Sequence, residues 1–187
     1  KKMKNYKIKE IMALSYLESL LKEDDFDLIK SAKKNKVEID KLNVLFPYDS
    51  QRNQYELLKI FYNNICENVL IKFYHEIKNE DISLYEKVLE ALFILFEILY
   101  KYKKALIYLS SSLDKKFKNF VILRNQNHQF MIKLLKICGD HDDFFKLNVK
   151  AIILNIIYLK NLNLFLSSKD ITFENIMNSL DKDLKKI

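Results

Sequence analysis

Apolar side chains recur at spacings of three and four along most of the chain, the period of a helix with one buried face. Ile8, Ile11, Met12, Leu17 and Leu20/Leu21, with Ser15 among them, predict a first helix over Asn5–Lys22, ended by Glu23-Asp24-Asp25. Phe26, Ile29 and Ala32 group on a short second helix reaching about Lys34, with Asp25 as the expected N-cap. A third, about Glu38–Leu45, stops at Phe46-Pro47, because proline disfavours helical backbone in the residue before it. Asp49 or Ser50 is placed to cap a long fourth helix to about Ile77, with Tyr55, Leu58, Phe61/Tyr62, Ile65, Val69 and Phe73 on one side.

Asn79-Glu80-Asp81 breaks the pattern, and Asp81 or Ser83 caps the next helix. Leu84 to Leu113 is apolar on most sides around Leu89–Leu99, which predicts central burial, with a joint near Lys101–Lys104. After Ser110-Ser111-Ser112 and Asp114 the spacing predicts a helix from Lys115 to Cys138, closed by Gly139 as a left-handed C-cap. Asp142/Asp143 open a very apolar helix to about Ser167. Thr172, with Asn175 three residues on, opens a final amphipathic one at Phe173. The expectation is an all-α fold of about nine helices, the first three small.

Composition excludes much else. The chain has one glycine and one proline in 187 residues, where ordinary usage would give roughly thirteen and nine. Sandwiches and barrels need frequent turn residues, and phosphate-binding loops need glycines for close backbone approach. With 49% hydrophobic residues, thirteen Phe and eleven Tyr, a sizeable core is available. The uncharged apolar runs Ala105–Leu113 and Ala151–Leu159 are nine residues each, short of the ~20 that span a bilayer. The first residues form no apolar signal segment, so the expected setting is cytoplasmic or membrane-peripheral. Of the bases behind the net charge of +7, only Arg52 and Arg124 are arginine. A lysine-borne charge fits a solvated surface better than bidentate base reading.

No catalytic constellation emerges, and the expectation is a protein that is not an enzyme. His75, His128 and His141 have no metal-ligand spacing, and Cys66 and Cys138 fall inside helices without a pattern. The acid pairs Asp24-Asp25, Glu80-Asp81 and Asp142-Asp143 all stand at helix starts, where negative charge suits the helix dipole. The aromatic residues of the C-terminal two thirds read either as core or as the wall of an apolar cavity for a hydrophobic ligand. The lining expected for such a cavity is Phe93, Phe96, Tyr100, Leu106, Phe117, Phe120, Met131, Leu135, Ile152, Ile156 and Phe165.

Leu28, Ala32, Val37, Leu42, Phe46 and Pro47 fall on the positions that mark the helix-turn-helix of TetR-type regulators, and residues 26–47 resemble that motif. Lys36 stands where the turn glycine belongs, Glu38 where a phosphate-contacting Ser or Thr belongs, and Asp40 adds a second acid. Acids repel phosphate, and phosphate neutralisation dominates DNA affinity. Further on, Gly139-Asp140, Phe145, Lys150, Leu154 and Tyr158 keep register with a Gly-Asp-x-x-x-Asp-Phe-x-x-Tyr-x-Lys-Arg run. Phe165-Leu166 stands for Trp-Leu. These residues resemble the accessory lipid-binding proteins of ubiquinone (coenzyme Q) biosynthesis, a family with a TetR-like fold. The likeness spans residues 84–184 and is closest over 139–166. Phe144, Leu147, Asn148 and Ala151 depart from the family's residues.

That resemblance implies a homodimer with an N-terminal helix-turn-helix-like subdomain, residues 1–47, and a lipid-binding and dimerisation domain, residues 48–187. It implies no cofactor beyond a bound isoprenoid or quinone-type lipid, presented to a membrane-associated hydroxylase. The setting would be peripheral on the inner membrane, on the matrix side of mitochondria in a eukaryote. Carried over by position, Phe145, Leu147, Asn148 and Lys150 become the partner-binding patch. The alternative is a ligand-responsive TetR-type repressor that contacts DNA through Lys30, Lys33, Lys34, Lys36 and Lys41. A third is a helical interaction module without a working pocket. For the first two, pairing of copies is expected through the last two long helices.

Overall fold

The computed structural model describes residues 4–22, 26–76, 80–112, 124–167 and 170–186. The chain is all-helical; among the described residues there are nine α-helices and no strand. They are α1 Asn5–Leu21, α2 Leu28–Lys34, α3 Ile39–Leu45, α4 Ser50–Glu76, α5 Leu84–Tyr100, α6 Lys103–Ser112, α7 Arg124–Ile137, α8 Phe144–Ser167 and α9 Phe173–Leu184. The start expected for α7 at Lys115 lies outside the described residues. The chain divides into two compact units, Lys1–Asn64 and Ile65–Ile187, with the division falling within α4.

In the first unit α1 packs on α2 and α2 on α3. Asp27, not Asp25, caps α2: its carboxylate accepts the Lys30 amide at 2.8 Å, so the helix opens at Leu28. The end of α2 is a Schellman turn, with the Val37 N–H donating to Ala32 O at 2.9 Å and Lys36 in left-handed backbone, φ +57°. Asn35 fixes this turn to α1, its amide reaching Ser15 Oγ and Ser31 O at 2.9 Å each. Val37, Leu42 and Phe46 are thereby buried beside Ala32. Asn53 holds the Phe46-Pro47-Tyr48 corner, donating to Phe46 O at 3.2 Å and Tyr48 O at 2.6 Å.

In the second unit α8 is central, packing against α6, α7 and α9, while α9 also packs on α5. Capping boxes open α5 (Ser83 with Glu86) and α9 (Thr172 with Asn175). The core is aromatic at its centre: Phe96 lies 5.6 Å from Tyr158 and 5.7 Å from Phe165, ring centre to ring centre, and all three are fully buried. Each such side chain contributes roughly 1.5–3 kcal/mol by burial, whereas an exposed pair such as Lys72–Glu97 contributes about 0–1. Apolar packing therefore holds this unit together.

Candidate functional site

Gly139 ends α7 with φ +92°, and Asp140 N–H closes a second Schellman turn on Leu135 O at 3.0 Å. The turn carries Asp140 beneath Lys150 of α8, whose ammonium meets Asp140 and Asp142 at 2.7 Å each. Burial works against the Asp140 charge. The Lys150 hydrogen bond, the Asp142 amide and the attraction of Lys150 and His141 outweigh it and hold the carboxyl below its ordinary value. The two hydrogen bonds raise the Lys150 ammonium in return. Asp143 caps α8, accepting from the Phe145 and Lys146 amides at 3.0 Å. The Gly-Asp-to-Lys segment is thus a clasp between α7 and α8.

Of the four expected partner residues, one faces outward. Phe145 is 76% exposed. Leu147 is buried, Asn148 is half-buried with its Oδ1 3.0 Å from His128 Nε2, and Lys150 is held in the clasp. Leu147 falls two residues from Phe145, on the opposite side of the helix, which is why they separate. Outward with Phe145 come Val149, Ile152 and Ile156, at spacings of four, three and four. The same spacing turns Ile152 and Ile156 away from the interior expected of them.

The other expected cavity residues divide. Phe96, Met131 and Phe165 are packed core, and Leu106 is half-buried on α6. Phe93 and Tyr100 line an open hollow of about 600 Å³ whose walls include Lys72, Glu76, Glu90 and Glu97. Leu135 lines a different hollow, of about 210 Å³, with Leu84, Tyr85, Val88, Lys150, Leu154 and Leu184. Phe117 and Phe120 lie outside the described residues. The sequence shows that these helices are apolar but not which faces meet, so close aromatic pairing takes residues expected at a cavity wall.

The 210 Å³ hollow is lined mostly by apolar side chains. Its two polar groups are both engaged elsewhere: Lys150 in the clasp and Tyr85, whose hydroxyl donates to the Asp181 carboxylate. Burial first, then the bond to Asp181 and its charge, push the Tyr85 hydroxyl up to about 12. Alkyl stem and ring are left to face an occupant. Burial likewise pushes the Cys138 thiol up to about 12, the charge of Lys87 opposing and that of Asp140 adding. It is a packing group, not a nucleophile.

Lys103 is buried, its ammonium donating to Ile171 O and lying 5.1 Å from the Phe165 ring centre. Burial lowers it, against the attraction of Asp170. The three histidines do not converge, and among the described residues no group of three or more His, Cys, Asp or Glu is placed to hold a metal. By length and composition α8 could cross a membrane, with a mean hydropathy of 1.5. The nine-residue runs argue otherwise only because they stop at single charges. Yet 44% of that apolar window is buried in the fold. The sequence matches no protein-family model and no curated protein.

Proposed function

We propose that this chain is a non-enzymatic lipid-binding accessory protein of ubiquinone biosynthesis, TetR-like in architecture. It holds an isoprenoid or quinone-type lipid in its second unit and presents it to a membrane-associated hydroxylase. The observation that carries this reading is the hollow between Leu84, Val88, Leu135, Leu154 and Leu184, whose polar neighbours have spent their hydrogen bonds on Asp140, Asp142 and Asp181. A site without unsatisfied polar groups favours hydrocarbon over a sugar, nucleotide or peptide. Two copies pair through Phe145, Val149, Ile152 and Ile156, since a row of exposed apolar side chains on one helix face is otherwise costly in water. Organic extraction of the purified protein followed by mass spectrometry is expected to release an isoprenoid or acyl lipid. A lipid-free protein that also takes up no polyprenyl phenol from vesicles would sink the proposal.

The repressor reading draws on a specific feature, the Schellman turn at Lys36 between α2 and α3 with Lys30, Lys33, Lys34 and Lys36 exposed around it. Against it, Glu38 at the N-cap of α3 and Ile39, Asp40 and Val44 within the helix face solvent, and Lys41 is paired with Glu38 at 2.9 Å. A gel shift on the protein's own upstream DNA at low salt separates the two: a salt-sensitive shift supports the repressor, and its absence removes it.

A further inference from the structure

The outer face of α8 is more regular than an ordinary solvent face. From Phe145 the outward positions advance by four and then three in strict alternation, through Val149, Ile152 and Ile156. The alternation continues past them to Leu159, Asn163 and Leu166. Val149, Ile152, Ile156 and Asn163 are exposed, and Leu159 and Leu166 are half-buried. No charged residue interrupts the row. An alternation of four and three is a period of 3.5, that of a coiled-coil seam, and it runs here for about 33 Å of helix. Packing α8 into its own unit does not require it, because that is done by the opposite face, with Leu147, Ala151, Leu154, Tyr158 and Phe165.

We propose that α8 pairs with α8 of a second copy as a parallel two-stranded coiled coil. The proposal rests on the pairing of copies inferred for this face and adds its direction and register. In heptad terms Val149, Ile156 and Asn163 take the a positions, and Phe145, Ile152, Leu159 and Leu166 the d positions. β-Branched residues at a with leucine at d favour two strands, and a single polar residue at a fixes the register at a cost in stability. Val149 and Ile156 with Leu159 and Leu166 meet the first condition, and Asn163 is the polar residue. Its amide decides the direction. In a parallel pair each a residue meets its own counterpart, so the two Asn163 amides donate to and accept from each other. In an antiparallel pair that sets Ile152 against the partner's Ile156, Asn163 lies against the partner's Phe145 and is desolvated with no bond in return. That arrangement also brings Lys146 beside the partner's Lys160. Each lysine has a carboxylate of its own copy, Asp143 at 3.6 Å and Asp183 at 2.7 Å, which damps the repulsion, so the direction rests on Asn163.

Single cysteines in the whole chain test the direction. Val149→Cys and Asn163→Cys each place one thiol at an exposed position, while Cys66 and Cys138 are buried. In the parallel seam each new thiol faces its counterpart within the Cα separation of about 7 Å that a disulfide spans. Mild oxidation is then expected to convert most of either variant to a linked dimer. In the antiparallel pair the counterparts stand about 15 Å apart at 149 and about 27 Å apart at 163, and neither links. Asn163→Val is expected to tighten the pair about tenfold in sedimentation equilibrium, because the polar layer is removed. A dimer in sedimentation that neither cysteine links overturns the parallel seam and leaves the pairing of copies standing. An unchanged dissociation constant for Asn163→Val places Asn163 outside the seam and overturns it as well. A chain that is monomeric at every concentration overturns both seam and pairing, and the lipid released by extraction still decides the ligand separately.

Discussion

Lys36 and Gly139 perform the same backbone task at two helix ends, each lying in left-handed conformation inside a Schellman turn. A residue with a Cβ is strained by about 1–2 kcal/mol there, while glycine is not. Lys36→Gly is accordingly expected to stabilise the protein by about 0.5–1 kcal/mol, after the greater freedom of glycine in the unfolded chain is discounted. Chemical denaturation would check this, and Lys36→Ala should change little. A Cβ at Gly139 meets nothing within 4 Å, so the strain there comes from φ alone.

Asp183 is the second residue whose chemistry has a measurable consequence. It is buried, meets Lys160 at 2.7 Å and the Asn161 amide at 3.1 Å, and these bonds outweigh its burial to hold the carboxyl below its ordinary value. The unfolded chain, with the ordinary value of 3.8, therefore takes up the proton first as pH falls. Stability from this group is complete above that value and is lost as pH drops from it towards the folded-state value. Asp183→Asn is expected to flatten the acid limb of the melting-temperature profile and to cost about 1–3 kcal/mol at neutral pH, for the loss of charge-assisted bonds. An unchanged acid limb would show that Asp183 is not the group responsible.

Among the elements, α8 has two apolar faces with different fates. One is buried by Leu147, Ala151, Leu154, Tyr158 and Phe165. The other presents Phe145, Val149, Ile152 and Ile156. Ile152→Glu places a charge in the second face without touching the first. In light scattering at micromolar concentration it is expected to convert a dimer to a monomer with the helical circular-dichroism signal retained. A dimer that survives the change would have to use another surface.

Helix ends are legible in the sequence where a local rule governs them. Thr172 with Asn175, the break at Pro47, the joint after Tyr100 and the C-cap at Gly139 each depend on a few neighbouring residues, and each is where the pattern puts it. Asp27 escapes notice as a cap because Asp25 also precedes an apolar run, and only backbone geometry separates them. The faces of α8 are not legible, since a helix apolar on most sides has no period to reveal which side meets α7 and α9. The candidate site suffers from the same ambiguity. Residues expected in one cavity are distributed between core, two hollows and an outer face, and the clasp at Lys150 depends on Asp140 turning back under α8, which no local pattern reveals.

For the whole molecule, the proposed function predicts what filling the hollow should do. Leu84 is half-buried at its wall, so Leu84→Trp adds bulk there without displacing a fully buried side chain. Co-purifying lipid is expected to fall several-fold while the melting temperature changes by only a few degrees. Undiminished lipid would move the binding site elsewhere.

The hydrogen bond from Tyr85 to Asp181 joins residues 96 positions apart, near the start of α5 and near the end of α9. A contact of that separation must await closure of a long loop, whose entropic cost is met only once the intervening helices have begun to pack. During synthesis the amino-terminal unit emerges first and has its own core to form. The second unit can bury Ile176, Leu180 and Leu184 only after α9 has left the ribosome. Until then the hollow beside Leu84 lacks its Leu184 wall. A nascent chain arrested before α9 is released should therefore bind chaperones, and release of those last turns should end that association.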